Sequence, residues 1–484
     1  MLWAWRQHSR ASLLKRIFPS LLLSFFTLSS SLVAGIFSSR VATSSNGEVL
    51  ISSLNCGGLF QPSSISPVGG PVYSYFNTWM ESSYNYAQSC YGSNTFRKDC
   101  TLYPRQSLPF SITRDIACPF PGQDSICRNM SGNIQIDTGF INSHFDLGIN
   151  APPENRFLLR FVAECAPLLT DRYTRVQKSA AIGTLINILY GPTRRDFNSG
   201  ATYQYPNATT PNNIDYGIFD YVLDVESTAF GWTPIPELHV TDGDVIVLFL
   251  SSNNIWFLNK TADPWYSAQE LVEYLLVGNN QIPLYAHDDA VRALGCRERF
   301  QFCNPNLPGN SSCTPLTSSR QAFQLGFQLW QDLTQQAYFN WSTSFFNIGI
   351  DTTVSIIGTA ALQSRNTLSD GIQWFIPDNQ WELEVENLFK VSLASLQRSV
   401  VDQAMGPADP ALLPMLKRPN TPEEQKVCAN QKIRSYSYAS INVLGLVIIF
   451  AIGGLIIVMS FALPIIVRWI QKRQNSYSTR APHG

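Results

Sequence analysis

Twenty-seven consecutive residues, Ile441 to Val467, carry no charge. At about 1.5 Å per residue they make roughly 40 Å of helix, enough to cross a ~30 Å hydrocarbon core with tilt. A second apolar stretch runs from Ile17 to Phe37, and all ten cysteines and all five Asn-X-Ser/Thr sequons lie between the two. The sequence therefore reads as an anchored chain displaying one large domain. Lipid is its first expected partner.

Charge sets the expected orientation. Arg6, Arg10, Lys15 and Arg16 precede the first apolar stretch, and Arg468, Lys472, Arg473 and Arg480 follow the last. No Asp or Glu precedes Glu48 or follows Glu424. Positive flanks stay cytosolic, so the middle is expected in a lumen or outside the cell, in the secretory pathway or at the plasma membrane, with the C-terminus cytosolic. Eight of the 34 basic residues sit in those flanks and none of the 35 acidic ones does, leaving a net −9 for the middle. That charge argues against nucleic acid as a partner, which needs a basic face. Ile17 to Leu28 has the length of a signal-peptide core, with Val33 and Gly35 small enough for a cleavage site. The segment is read either as a cleaved signal peptide or as an uncut signal-anchor helix.

The cysteines are Cys56, Cys90, Cys100, Cys118, Cys127, Cys165, Cys296, Cys303, Cys313 and Cys428. An even count behind a targeting segment indicates disulfides in an oxidising compartment, and no CxxC pair suggests zinc. Cys118 with Cys127, or two of Cys296, Cys303 and Cys313, suit short loops, and Cys428 is placed to tie a stalk back to the domain. Asn129, Asn207, Asn259, Asn310 and Asn340 head the sequons and are the expected glycosylation sites.

The expected fold class is α+β: a β-rich, disulfide-bonded ectodomain with a helical membrane-proximal half and a transmembrane helix. Arg156–Ala163, Ile218–Val225 and Val245–Ser251 are strand-like runs bounded by turn residues. Gly69-Gly70-Pro71 and Ala151-Pro152-Pro153 read as separators between such runs. Tyr173–Leu189 reads as a helix or a strand pair. Ser319–Gln336 and Asn379–Met405 show helical apolar spacing. Gly406–Pro422, with five prolines, reads as a stiff stalk. The divisions expected are a cytosolic N-terminus 1–16, a signal or anchor segment 17–37, a β-rich part 38–315 and a helical part 316–405. A Pro-rich stalk 406–440, a transmembrane helix 441–467 and a basic tail 468–484 follow.

Three motifs invite chemistry. Asp137-Thr138-Gly139 follows an apolar run, and Asp351-Thr352-Thr353 follows another. Aspartic proteases bring two such loops together so that the carboxyls share a proton. The neighbours Phe140-Ile141-Asn142 and Thr353 do not suit that family, so Asp137 is read as a turn residue. His144 with Asp146, and His287 with Asp288 and Asp289, are short polar turns that a divalent metal could use. Tyr73, Tyr75, Phe76, Trp79, Tyr84, Tyr86 and Tyr91 crowd one stretch, read as core material in strands and loops rather than as sugar-stacking rings. No GxSxG, HExxH or GxxxG occurs. No catalytic residue, metal site or cofactor is expected.

Several blocks carry a family likeness. Asp137-Thr138-Gly139 runs into Asn142-Ser143-His144-Phe145-Asp146-Leu147-Gly148-Ile149-Asn150-Ala151-Pro152, then Glu154-Asn155-Arg156, with Cys165-Ala166-Pro167-Leu168 beyond. Leu294-Gly295-Cys296, Phe302-Cys303-Asn304-Pro305 and Cys428-Ala429-Asn430-Gln431-Lys432-Ile433-Arg434 follow. The chain resembles a large uncharacterised group of filamentous-fungal membrane proteins with anchored ectodomains. The resemblance implies a fungal source and an exported domain, and it carries no activity. The expected role is binding of a protein or glycan ligand. An exported hydrolase using Asp137, or an accessory to a specialised-metabolite pathway, is the alternative.

Overall fold

The computed structural model describes residues 47–60, 69–92, 100–120, 122, 125–179, 183–193, 200–207, 214–223, 232–278, 280–435 and 443–478, with part of 18–36. The basic residues ahead of Ile17, Val33 and Arg480 lie outside them. The chain divides into two units: residues 50–433, and the chain ends 1–49 with 434–484. In the second unit, helix Val443–Ser478 contains a 31-residue stretch, Val443–Arg473, long and apolar enough to span a membrane. Pro464 lies inside it.

The large unit is mixed helix and sheet in layers. Its central antiparallel sheet comprises β1 (Ser111–Ile116), β2 (Asn133–Asp137), β3 (Ile141–Asn142), β4 (Leu158–Leu168), β5 (Asp215–Leu223), β6 (Asp244–Asn253) and β7 (Arg292–Cys303). The order is β1-β2-β4-β7-β6-β5, with β3 also paired to β4. Alternation along β6 separates two cores: Ile246, Leu248 and Leu250 face one, Val245, Val247 and Phe249 the other. The second core is closed by a three-stranded sheet, Thr174–Ser179, Gly183–Ile188 and Tyr203–Asn207, so Tyr173–Leu189 is the strand pair.

The first core is closed by helices: α1 (Gly69–Cys90), α2 (Ser319–Phe327), α3 (Leu333–Thr343), α4 (Ile350–Ile357), α5 (Gln380–Met405) and α6 (Pro422–Cys428). The 26-residue α5 is buried on nearly every side, sending Leu388, Phe389 and Leu396 toward the sheet and Val391 and Ala394 toward α1. Phe161 of β4 stacks on Phe300 and on Phe389, both at 4.8 Å between ring centroids, tying sheet to helix. α5 stops at Gly406, whose φ is +69° and where a Cβ would lie 1.7 Å from the Asn55 carbonyl oxygen.

Five disulfides use every cysteine: Cys56–Cys428, Cys90–Cys100, Cys118–Cys127, Cys165–Cys296 and Cys303–Cys313. Cys165 and Cys296 face each other directly in the β4–β7 register.

Three expectations need correction. The stretch Tyr73–Tyr91 lies almost wholly on a helix rather than on strands and loops, and Gly69-Gly70-Pro71 opens it. Val72, Phe76, Trp79, Met80, Ser83, Ala87 and Cys90 recur at helical spacing and form the buried stripe. Pro71 fits the first turn, where its missing N–H costs nothing. Of the stiff stalk expected over 406–440, residues 406–433 belong to the large unit and pack within it. Pro410–Met415 forms a 3₁₀ turn that buries Leu412, Lys417 bridges Gly58, and Thr421 caps α6 with Pro422 at its first position. Here proline starts helices instead of stiffening a linker. Finally, Ser319–Gln336 is two helices, because Asp332 accepts the Thr334 N–H at 2.7 Å and starts a new one.

Candidate functional site: a polar groove over a buried carboxylate

Glu384 lies near the start of α5 and is fully buried. Its carboxylate accepts the N–H groups of Gln363 (2.7 Å) and Ser364 (2.8 Å), the Gln380 amide (3.0 Å) and the Tyr266 hydroxyl (3.2 Å). Burial raises its pKa although every one of the bonds named for it favours the charged form. The effect is to pin the 3₁₀ turn Ser364–Thr367 from below.

That turn directs Arg365 and Asn366 outward. Arg365 pairs with Asp215 at the start of β5 at 3.1 Å, and Asn366 donates to the Tyr84 hydroxyl of α1 at 3.4 Å. Just beyond, Leu368–Ser369 pairs with Ile372–Gln373 around a two-residue Asp370-Gly371 loop. Both loop residues have positive φ, +50° and +78°, as this tight hairpin turn requires. Gln373 holds the hairpin from inside, accepting the Tyr216 hydroxyl and donating to Thr367 Oγ1.

The result is an open groove of about 800 Å³ between α1, the start of β5 and this turn-and-hairpin segment. Glu81, Tyr84, Asn85, Asp215, Arg365 and Asp370 offer carboxylate, amide, guanidinium and phenol groups along it. Its described lining contains no His, Cys or Ser. A smaller aromatic cleft of about 160 Å³ lies among Phe60, Tyr75, Trp79 and Phe345. The protein's own cations serve it: Arg398 sits over Trp79 and bonds Asp402, and Lys417 sits over Phe60.

The acids and histidines that invited chemistry are placed apart from the groove lining. Asp137 accepts the Gly139 N–H as a turn residue, and Arg160 grips it at 2.5 Å, holding its pKa below the usual range despite burial. Asp351 keeps company with Glu298 of β7: oxygens of both crowd the space where a Gly349 Cβ would stand. The two loops therefore do not form a shared-proton dyad. Asp146 pairs with Arg105, and Asp289 with Arg292, while the His287 ring contacts the Asp289 carbonyl. Among the described residues no three His, Cys, Asp or Glu side chains converge as metal ligands. Of the aromatic stretch, Phe76 and Trp79 are core and Tyr84 reaches the groove.

The buried acids predict how stability varies with pH. Burial pushes Asp220 to about 7 and Asp263 to about 6. It also raises Glu298, Asp351, Glu384 and Asp402, and the neighbouring Asp351 charge further burdens Glu298 and Asp220. Well below pH 4 such groups are protonated whether folded or unfolded and cost nothing. As pH rises toward 7 the unfolded chain releases the proton first, so stability falls until the folded value is passed. His287, held neutral by burial, works the other way as pH drops below about 6.5. Asp137 loses its contribution only below about pH 4. The melting temperature is expected to be several degrees higher near pH 5 than at pH 7.5. Equal values in a pH-stepped melting series would refute this.

No protein-family model, curated protein or solved structure matches the chain.

Proposed function

We propose that the chain is a membrane-anchored, N-glycosylated, disulfide-bonded surface or endomembrane protein of fungal type, and that its large unit binds a protein or glycan ligand rather than transforming one. The observation that carries this reading is the groove: Glu81, Asn85, Arg365, Asn366 and Asp370 are exposed along it, and the turn presenting two of them is fixed by a buried carboxylate. The acids of the Asp137 and Asp351 motifs lie outside the groove lining, Asp137 paired with Arg160 and Asp351 beside Glu298. Sequons are also absent from the stretch Trp341 to Ile441, which supplies Arg365, Asn366 and Asp370 to the groove.

A glycan wedge tests this. Glu81→Asn, followed by Ser82 and Ser83, creates a sequon at the exposed rim with one substitution. The full chain in detergent is passed over panels of glycans and extracellular polypeptides. The wedge is expected to cut binding at least tenfold relative to wild type, as should Arg365→Ala, while a sequon added near Asn207 leaves it intact. Unchanged binding by the Glu81→Asn protein would remove the groove. A glycosidase mobility shift with a protease-sensitive C-terminal tag in sealed vesicles checks the orientation.

A further inference from the structure

We infer that Asn259 is a structural asparagine, and that the folded protein leaves this sequon without glycan. The inference rests on the exported orientation proposed above. The Asn259 amide nitrogen donates to the carbonyls of Lys260 (2.9 Å) and Ile376 (3.2 Å), and its oxygen accepts the Ile376 N–H (3.3 Å). One side chain thus holds the Ile376 peptide groups from both directions. A glycosidic bond replaces one of the two amide hydrogens and sets a sugar where a protein carbonyl now stands.

The hydroxyl of the sequon is committed as well. Thr261 is completely buried, donates to Asp378 and accepts the Asp263 N–H. Asp378 in turn accepts the Ala262 N–H at 2.7 Å. Asp263 accepts the Trp381 N–H at 2.9 Å in the first turn of α5, where Asn379 supplies no side-chain cap of its own. Residues 259–263 and 376–381 therefore clasp each other and seat the start of the main core helix. Asn129 differs, since it and the Ser131 of its sequon are both exposed, and Asn340 is exposed although its Ser342 is buried.

Synthesis order makes the outcome a competition. The sequon emerges 117 residues before Ile376, roughly 6–23 s at ~5–20 residues per second. A transferase meets it before the clasp can close, and a chain modified then cannot complete the clasp. The native population is the unmodified one.

Glycopeptide mapping of disulfide-bonded, monodisperse full-chain protein is the test. The Asn259 peptide should be bare while the Asn129 or Asn340 peptide carries glycan. Glycan on Asn259 in most of the native material would overturn the inference. Glycan at none of the five would overturn the export reading instead, and a second measurement would still decide the clasp. Asn259→Gln should lower the melting temperature by roughly 2–4 °C equally before and after enzymatic deglycosylation, whereas an unchanged melting temperature would refute the structural role.

Discussion

Full-chain protein with both Cys56 and Cys428 replaced by serine is expected to lose about 4–6 kcal/mol of unfolding free energy. The bond closes a loop of 372 residues, and the unfolded chain gains freedom in proportion to the logarithm of that length. Replacing Cys90 and Cys100, only 10 residues apart, should cost about 2.5–3 kcal/mol by the same reasoning. The longer bond also guards a specific seam. Beside Cys56, the Gly57 N–H donates to the Gln403 carbonyl at the end of α5, and Gly58 exchanges hydrogen bonds with Lys417. Gly57 has φ +151° and lies against the Lys417 backbone, where a Cβ would stand 2.3 Å from its carbonyl oxygen. Without the disulfide, residues 406–433 should open before the sheet does. Chemical denaturation of the two double variants checks the ranking, and equal losses would mean that strain or residual structure, not loop length, governs the effect.

Much of the fold was legible from local pattern. The helix at Gln380–Met405, the strands around Arg156 and Val245, and the short Cys118–Cys127 loop all follow from spacing within a few residues. The aromatic stretch misleads because Tyr, Phe and Trp favour strands, while the deciding signal is the spacing of Val72, Phe76, Met80, Ser83 and Ala87. The prolines after Gly406 mislead because proline serves both linkers and helix starts. The groove was scarcely legible: Glu81, Asp215 and Arg365 belong to distant segments that only the packed helices and sheet bring together. Asp370-Gly371, a strong hairpin turn signal, was its one local mark. Asp137-Thr138-Gly139 looked chemical, yet nothing local announced Arg160 on the neighbouring strand.

Glu384 was the least legible of all, since the run Trp381-Glu382-Leu383-Glu384-Val385-Glu386 reads as a helix with solvated acids. Replacing it with glutamine should cost about 2–4 kcal/mol. The two side chains are nearly the same size, so packing cannot explain the loss. The carboxylate presents acceptors on both oxygens to Gln363, Ser364, Gln380 and Tyr266, whereas an amide turns an N–H toward groups that are themselves donors. At least one buried N–H is then left without an acceptor, in surroundings where no water replaces it. Arg365→Ala, by contrast, removes an exposed ion pair and should cost under about 1 kcal/mol while abolishing its share of binding. Denaturant unfolding and amide hydrogen exchange at Gln363 and Ser364 separate the cases. Fast exchange at both amides in Glu384→Gln, with slow exchange kept in Arg365→Ala, is the expected result. Slow exchange in both would mean the turn holds its shape unaided, and the groove would owe its rigidity to the Asp370-Gly371 hairpin and Gln373 instead.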